Sequence, residues 1–256
     1  MTQQHGPNAV TRAEEVGTLL GIWAHPDDEA YLAAGLTATT IDAGQRVVVA
    51  TATRGEAGTG DPSRWPPERL AAEREAETRA SLAAVGVSEH HWLGHRDGTL
   101  PSVPAELGVE QVCALIDQVR PDTIVTFGPD GMTGHCDHRT VSSWVTQAWR
   151  SRNRPGRLWY ATLTPEFHQE WGALNAEMGL WFTGCEPPSD PTHRLTYTLN
   201  CVGDVLDRKV AALTAHRSQT ADLIAAVGEE TFRRWWSTEF FIDAGTKLEH
   251  RKVCLK

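Results

Sequence analysis

Two short segments more than a hundred residues apart concentrate side chains of the metal-ligating and acid–base types. The first is Ala24-His25-Pro26-Asp27-Asp28-Glu29 and the second is Gly134-His135-Cys136-Asp137-His138. Between them they hold three histidines and three aspartates, enough for a metal site with an acid and a base to spare. His25 and Asp28 are three residues apart, so one helical turn would set them on the same side. His138 opens the second candidate helix and can supply a third ligand. Two histidines and one carboxylate leave coordination positions open for water, as in a catalytic zinc site rather than a structural one. Zinc lowers the pKa of bound water from 15.7 to about 7 and polarises a carbonyl. Asp27 and His135 are then left over, suited to a general base and to a donor for a developing oxyanion. Asp137 could hold the imidazole of His135. The same ligand types also form the facial triad of non-haem iron oxygenases. Asp27 and Asp28 could also be ordinary first-turn acids of a helix started by Pro26.

Each segment follows an apolar, β-like run and is therefore expected at the end of a buried strand, where active sites of open α/β sheets form. Strands are expected over residues 16–23, 46–53, 90–93, 123–127 and 157–163. Helices are expected over 29–43, 67–85, 109–119, 138–150 and 202–216. Pro66-Pro67 opens the second of these helices, Gly86 closes it, and Pro121 stops the third. Residues 192–200 read as an edge strand or hairpin arm. The alternation implies an α/β fold, a mostly parallel sheet with helices on both faces. One domain over residues 17–256 would follow a loose polar lead-in at 1–16. Loops at 54–66, 94–106 and 183–193 are long and rich in Gly or Pro, and long loops often shape a pocket.

The net charge of −9 over 256 residues argues against nucleic acid as a partner, because phosphate binding needs clustered Lys and Arg. Five widely spaced cysteines without a C-x-x-C pair point to reduced thiols, with neither a disulfide framework nor a cysteine zinc site. No signal-peptide stretch and no run of ~20 apolar residues stands in the sequence, so a cytoplasmic protein without a membrane span is expected. Trp23, Trp92, Trp144, Trp149 and Trp159 fall in regular elements and read as core. Trp65, Trp171, Trp181, Trp235 and Trp236 lie in less regular regions, where some could wall a site for a sugar or a hydrophobic ligand. His90 and His91 read as surface, and Cys136 as a packed thiol turned away from its neighbours. The glycines of residues 55–60 lack the Lys-Ser/Thr of a phosphate loop, and there is no G-x-S-x-G elbow, which argues against nucleotide binding and serine hydrolysis.

Taken together, these residues resemble the PIG-L/LmbE-like family of metal-dependent N-acetylglucosaminyl deacetylases. The family's A-H-P-D-D-E stands here as residues 24–29 and its H-x-D-H as residues 135–138. Arg54-Gly55-Glu56-Ala57-Gly58, Arg74-Glu75-Ala76-Glu77, Gly94-His95-Arg96-Asp97-Gly98, and Lys209 through Ala215-His216-Arg217-Ser218-Gln219 are similar to further family segments. The resemblance implies a Rossmann-like, LmbE-like fold with one Zn2+ per chain at the strand ends, or another divalent metal such as Fe2+. It implies His25, Asp28 and His138 as ligands and Asp27 as the general base. His135, with Asp137 behind it, would stabilise the oxyanion or protonate the leaving amine. Arg74, Asp97 and Glu56 would hold sugar hydroxyls or line the pocket. The implied partner is a small amino-sugar or glycoside, and some members are oligomers. Some relatives acting on the mycothiol precursor carry a tyrosine at the position of Thr133 and can carry a polar residue at that of Leu32, which speaks against a mycothiol-type substrate here. The implied reaction is zinc-dependent removal of an N-acyl, chiefly N-acetyl, group from a glucosamine-type substrate. One alternative is deacylation of a secondary-metabolite glycoside, glycopeptide or thiol-conjugate amide. Others are an iron oxygenase and an idle sugar- or metal-binding protein.

Overall fold

In the computed structural model, β1 (Leu19–Trp23) and β2 (Val47–Thr53) are buried along their full lengths. That is the expected state of parallel strands covered on both faces, and it explains their near-continuous apolar sequences. The described residues are 15–245, apart from 183 and 185. Most of the expected lead-in, and Cys185 and Cys254, lie outside them.

Three more strands, β3 (Glu89–His95), β4 (Thr123–Phe127) and β5 (Arg157–Thr162), continue the parallel sheet. Two antiparallel strands, β6 (Tyr197–Asn200) and β7 (Thr238–Asp243), complete it. The strand order is β3-β2-β1-β4-β5-β7-β6. The chain winds outward from β1 through β2 to β3, then crosses to the other side of β1 for β4 and β5. The order therefore reverses between β1 and β4, and ligands of open α/β sheets bind at the carboxyl ends of the strands flanking such a reversal. Both reactive segments follow those two strands.

The connecting helices are α1 (Asp28–Asp42), α2 (Pro67–Ala84), α3 (Ala105–Val119) and α4 (Cys136–Ser151). The later ones are α5 (Pro165–Glu177), α6 (Gly203–Ala215), α7 (Arg217–Val227) and α8 (Glu229–Trp235). Helices α1 and α2 pack with α6, and α3 packs with α4. Right-handed crossovers place these two sets on opposite faces of the sheet. Gly108 permits the closest approach within the second set, since a Cβ there would fall 2.2 Å from the Trp144 ring. None of the described helices is long and apolar enough to cross a membrane.

Some expectations need correction. Helix α4 begins at Cys136, two residues earlier than the sequence suggests, because the His135 side chain caps it by accepting from the Asp137 N–H at 3.1 Å. Helix α3 likewise starts four residues early, directly after Pro104. Only residues 197–200 of the expected edge segment form a strand, and a 3-10 turn at Thr192–Arg194 precedes it. The Cys136 thiol is exposed rather than packed. His90 is half-buried, its Nε2 3.0 Å from Thr51 Oγ1, and Trp92 is half-buried too.

Candidate metal centre

His25 lies two residues beyond β1, and Asp28 is the first residue of α1. His138 sits in the first turn of α4, its ring stacked 4.1 Å from that of Phe127 at the end of β4. Two ring nitrogens and one carboxylate converge where these elements meet. His25 Nδ1 is 3.0 Å from His138 Nε2, His138 Nε2 is 3.3 Å from Asp28 Oδ1, and His25 Nδ1 is 3.7 Å from Asp28 Oδ2. A tetrahedral zinc with its usual bond lengths holds neighbouring donor atoms roughly 3.3 Å apart.

The remaining polar atoms of all three residues are tied down from behind. His138 Nδ1 lies 3.0 Å from the Gly131 carbonyl, which can only accept, so Nδ1 carries the hydrogen and Nε2 presents its lone pair. His25 Nε2 faces Asp97 Oδ1 at 3.1 Å and Asp137 Oδ2 at 3.4 Å, which leaves Nδ1 as the ligating atom. Asp28 Oδ2 accepts from the His25 N–H at 2.7 Å and the Ala24 N–H at 3.2 Å. The donor set thus fits a small divalent cation, held by outer partners of the kind that orient metal ligands.

The surrounding carboxylates favour positive charge at this place, and a metal bound through His25 Nδ1 would displace a proton held there. Burial alone would depress the His25 imidazolium, but Asp137, Asp97 and Asp28 outweigh it and push it up to about 10. Burial raises the Asp28 carboxyl to about 7, despite the nearby His25. Burial, then the positive fields of His25 and His135, hold His138 well below its ordinary value, as a neutral ligand must be. Burial would raise Asp97, yet its hydrogen bond and charge interaction with His25 bring it down to about 2.

Asp27 stands beside this cluster in an unusual backbone conformation, with φ 102° and ψ −28°. A left-handed conformation costs a non-glycine residue roughly 1–3 kcal/mol and persists only when its surroundings enforce it. Here they do: the Asp27 N–H donates to Glu29 Oε2 at 3.2 Å, and Arg74 Nη2 donates to Asp27 Oδ2 at 3.0 Å and to the Pro26 carbonyl. Arg74 Nη1 donates to the Gly55 carbonyl at 2.9 Å. A Cβ on Gly55, where φ is +67°, would lie 2.1 Å from that Nη1, so only glycine lets the loop close over the guanidinium. Burial raises the Asp27 carboxyl above its ordinary value although Arg74 opposes it.

The structure brings His25, Asp27, Asp28, Arg74, Asp97, His135 and His138 to one cavity of about 470 Å³. It gives several of them different neighbours from those expected. The Asp137 carboxylate does not stand behind His135. Fully buried, it accepts from the Gly98 and Leu100 N–H groups at 2.8 and 3.1 Å and faces His25. The reason is that Asp137 occupies the first turn of α4, and only its main-chain N–H reaches the cap residue His135. Arg74 and Asp97 touch the lining but are engaged with Asp27 and His25. Glu56 turns away: its Oε1 accepts from the Asp97 N–H at 3.0 Å, and it borders a separate groove with Arg54 and Trp92.

Other lining residues come from places the motifs do not mark. Tyr31 follows Asp28 by one helical turn, a spacing that was available in the sequence. Trp181, Phe182 and Trp236 come from segments after α5 and α8. Of the five tryptophans expected in irregular regions, Trp171 and Trp235 instead lie in α5 and α8 and are core, whereas Trp181 and Trp236 reach the cavity. Trp65 lies under the guanidinium of Arg69 at 5.0 Å.

Known proteins share this arrangement to a measurable degree. Residues 20–149 match the family described as PIG-L: GlcNAc-PI de-N-acetylase. The chain is 31% identical to a 1D-myo-inositol 2-acetamido-2-deoxy-alpha-D-glucopyranoside deacetylase of Kineococcus radiotolerans, over 86% of this chain and 73% of that protein. It is 29% identical to a Bacillus cereus protein named "Probable N-acetyl-alpha-D-glucosaminyl L-malate deacetylase 2", over 80% of this chain and 85% of the relative. The structure superimposes on the N,N'-diacetylchitobiose deacetylase from Pyrococcus horikoshii with a TM-score of 0.62 at 25% identity, covering 88% of this chain and 83% of that one. With half of its length matched by the family and both motifs meeting at the same strand ends, this chain belongs to the PIG-L family of GlcNAc-PI de-N-acetylases.

Proposed function

We propose that this protein is a metal-dependent amidohydrolase that removes an N-acyl group, acetyl first among them, from a glucosamine-type substrate. The observation that carries this reading is the convergence of His25 Nδ1, His138 Nε2 and the Asp28 carboxylate, each residue anchored from behind, beside the Asp27 carboxylate. These three residues would hold the metal. Bound there, zinc lowers the pKa of coordinated water to about 7 and polarises a carbonyl. The donor set favours zinc in a catalytic rather than a structural role, because only three protein ligands are supplied.

The protein's own groups account for the proton movements. Arg74 occupies Asp27 Oδ2, which leaves Oδ1 to take a proton from the attacking water. The water oxygen forms a bond to the amide carbon, and the carbonyl oxygen gains negative charge. His135 accepts from the Asp137 N–H through Nδ1, so its hydrogen is on Nε2 and can be donated to that oxygen. Asp27 then passes its proton to the departing nitrogen as the carbon–nitrogen bond breaks, releasing the carboxylic acid and the amine, between which the acid's proton then passes to give carboxylate and ammonium. We place the whole activity in one domain over residues 17–256, since all seven strands belong to a single sheet.

The test is acetate and free-amine release from N-acetylglucosamine derivatives, using zinc-loaded and chelator-stripped protein side by side. Release that depends on zinc is expected. Tight metal binding with no release from any amino-sugar amide would overturn the reading, and iron-dependent oxygen uptake would replace it.

A further inference from the structure

The charged and titratable groups lining the cavity are those of the candidate metal centre and its neighbours. The rest of the lining is largely hydrocarbon: Tyr31 and Leu32 from α1, Leu180, Trp181 and Phe182 after α5, and Trp236 after α8. Tyr31 and Trp236 meet edge to face at 4.6 Å, and Trp236 stacks on the buried Trp235 at 5.0 Å. This part of the surface is therefore a rigid aromatic face. Phe182 stands edge-on to His135 at 4.9 Å, yet it is 52% exposed. An aromatic side chain left half in water beside a reactive group gains stability when a ligand covers it.

The lining is equally informative about what it would reject. Among the described residues, Arg74 is the one arginine or lysine in it; its Nη1 and Nη2 are taken by Asp27 and by the carbonyls of Pro26 and Gly55, and its Nε is buried without a partner. Away from the metal, a dicarboxylate or phosphate substituent would find a single guanidinium already paired with Asp27, and would face Asp27, Asp28 and Asp97. Outside the metal centre a polyol would meet Thr133, Gln219, which already donates to the Gly58 carbonyl, and the polar tips of Tyr31, Trp181 and Trp236, each on a predominantly apolar side chain.

We propose that the aromatic part of this cavity is a subsite for an apolar substituent, an alkyl or aryl group carried by the amino sugar. The inference rests on the deacylase reading above for the orientation of the substrate, but the subsite itself is tested by binding. The substituent is attached either at the anomeric oxygen or as the acyl chain, and the two arms of the experiment separate these sources.

In the first arm, kcat/KM is measured on the methyl, phenyl, octyl and myo-inositol glycosides of N-acetylglucosamine. In the second, N-octanoyl and N-acetyl forms of the methyl glycoside are compared. An increase of about tenfold or more over the methyl N-acetyl compound is expected in one arm, from the apolar area covered. Binding is followed independently by tryptophan fluorescence on metal-free protein, titrated with phenyl and octyl glucosaminides and with N-octanoylglucosamine. The same preference is expected there. Phe182→Ala, which alters an exposed side chain, and Trp236→Ala should each bring the ratio towards one. A myo-inositol glycoside preferred over the phenyl and octyl compounds, or no apolar preference in either arm, overturns the subsite. Selective binding of apolar compounds with no hydrolysis of any would retain the subsite and sink the deacylase reading. Hydrolysis without apolar preference would do the reverse.

Discussion

Asp27 ligates nothing in the proposed centre, and its role can be separated from metal binding by a change of one atom. Asp27→Asn keeps the shape but loses the base. Turnover should fall about 10²–10⁴-fold, the usual contribution of a positioned general base, while metal content measured on the same sample stays at wild-type occupancy. Asp97 predicts the opposite pattern. Its carboxylate receives His25 Nε2 at 3.1 Å, so Asp97→Ala should weaken metal affinity about 10–100-fold, read by competition with a chromogenic chelator. The positions of the reactive residues were legible in the sequence because ligand spacing and strand ends are local features. Their partners were not. The Asp137 carboxylate meets Gly98, Leu100 and His25, contacts that depend on how two distant loops fold together, and nothing in H-x-D-H shows which way that side chain turns.

Helix α1 carries Asp28 and Tyr31 to the site, and two buried polar pairs support it. Lys209 Nζ donates to the Tyr31 carbonyl at 2.8 Å and to Glu239, which accepts from the Gly35 and Leu36 N–H groups at 2.7 and 2.8 Å. Both charged residues are almost completely buried. Lys209→Met leaves Glu239 without its counter-charge and should cost about 3–5 kcal/mol, measured by urea denaturation. The second pair joins His216 Nε2 to Glu29 Oε1 at 3.1 Å. Burial opposes the charge on His216, but Glu29 more than offsets it and holds the imidazolium above its ordinary 6.5. Burial likewise opposes ionisation of Glu29, and His216 holds it below its ordinary 4.5. The His216 contribution is complete below pH 6.5 and fades as pH climbs through the raised value. That of Glu29 is complete above pH 4.5 and fades as pH falls through the lowered one. The Tm advantage of the wild type over His216→Gln should therefore be greatest between these limits and shrink in alkali. Strongly patterned elements such as β2 and α2 were readable in advance. Helix α5 has only a local start signature, Thr164-Pro165-Glu166, with Thr164 Oγ1 capping it by accepting from the Phe167 N–H at 3.2 Å, and no strong apolar period follows. Strand β7 is not legible either, because six residues with one buried face give too weak a period to stand out.

At the scale of the whole molecule, the metal should couple the two motif segments and so stabilise the fold. At a free zinc concentration of 100 times Kd, linkage adds about 2.7 kcal/mol. For a domain of this size that is a rise of about 5–10 °C in Tm, and a chelator should abolish it in differential scanning calorimetry. The α/β class followed from the alternation of strands and helices, but the strand order did not, since parallel partners are chosen by packing across the sheet. The apolar character of the cavity was equally hidden, because its lining comes from α1 and from the segments after α5 and α8. The position of β7 has a further consequence. It lies between β5 and β6 and delivers Glu239 to the middle of α1. A ribosome makes His25 and Asp28 early, yet the acceptor for the Gly35 and Leu36 amides emerges some two hundred residues later. Until then the growing polypeptide has an open sheet edge at β5, and α1 lacks the carboxylate that holds its middle. Completing the reactive pocket thus requires a long-range pairing of β7 with β5 after both motif segments have been made.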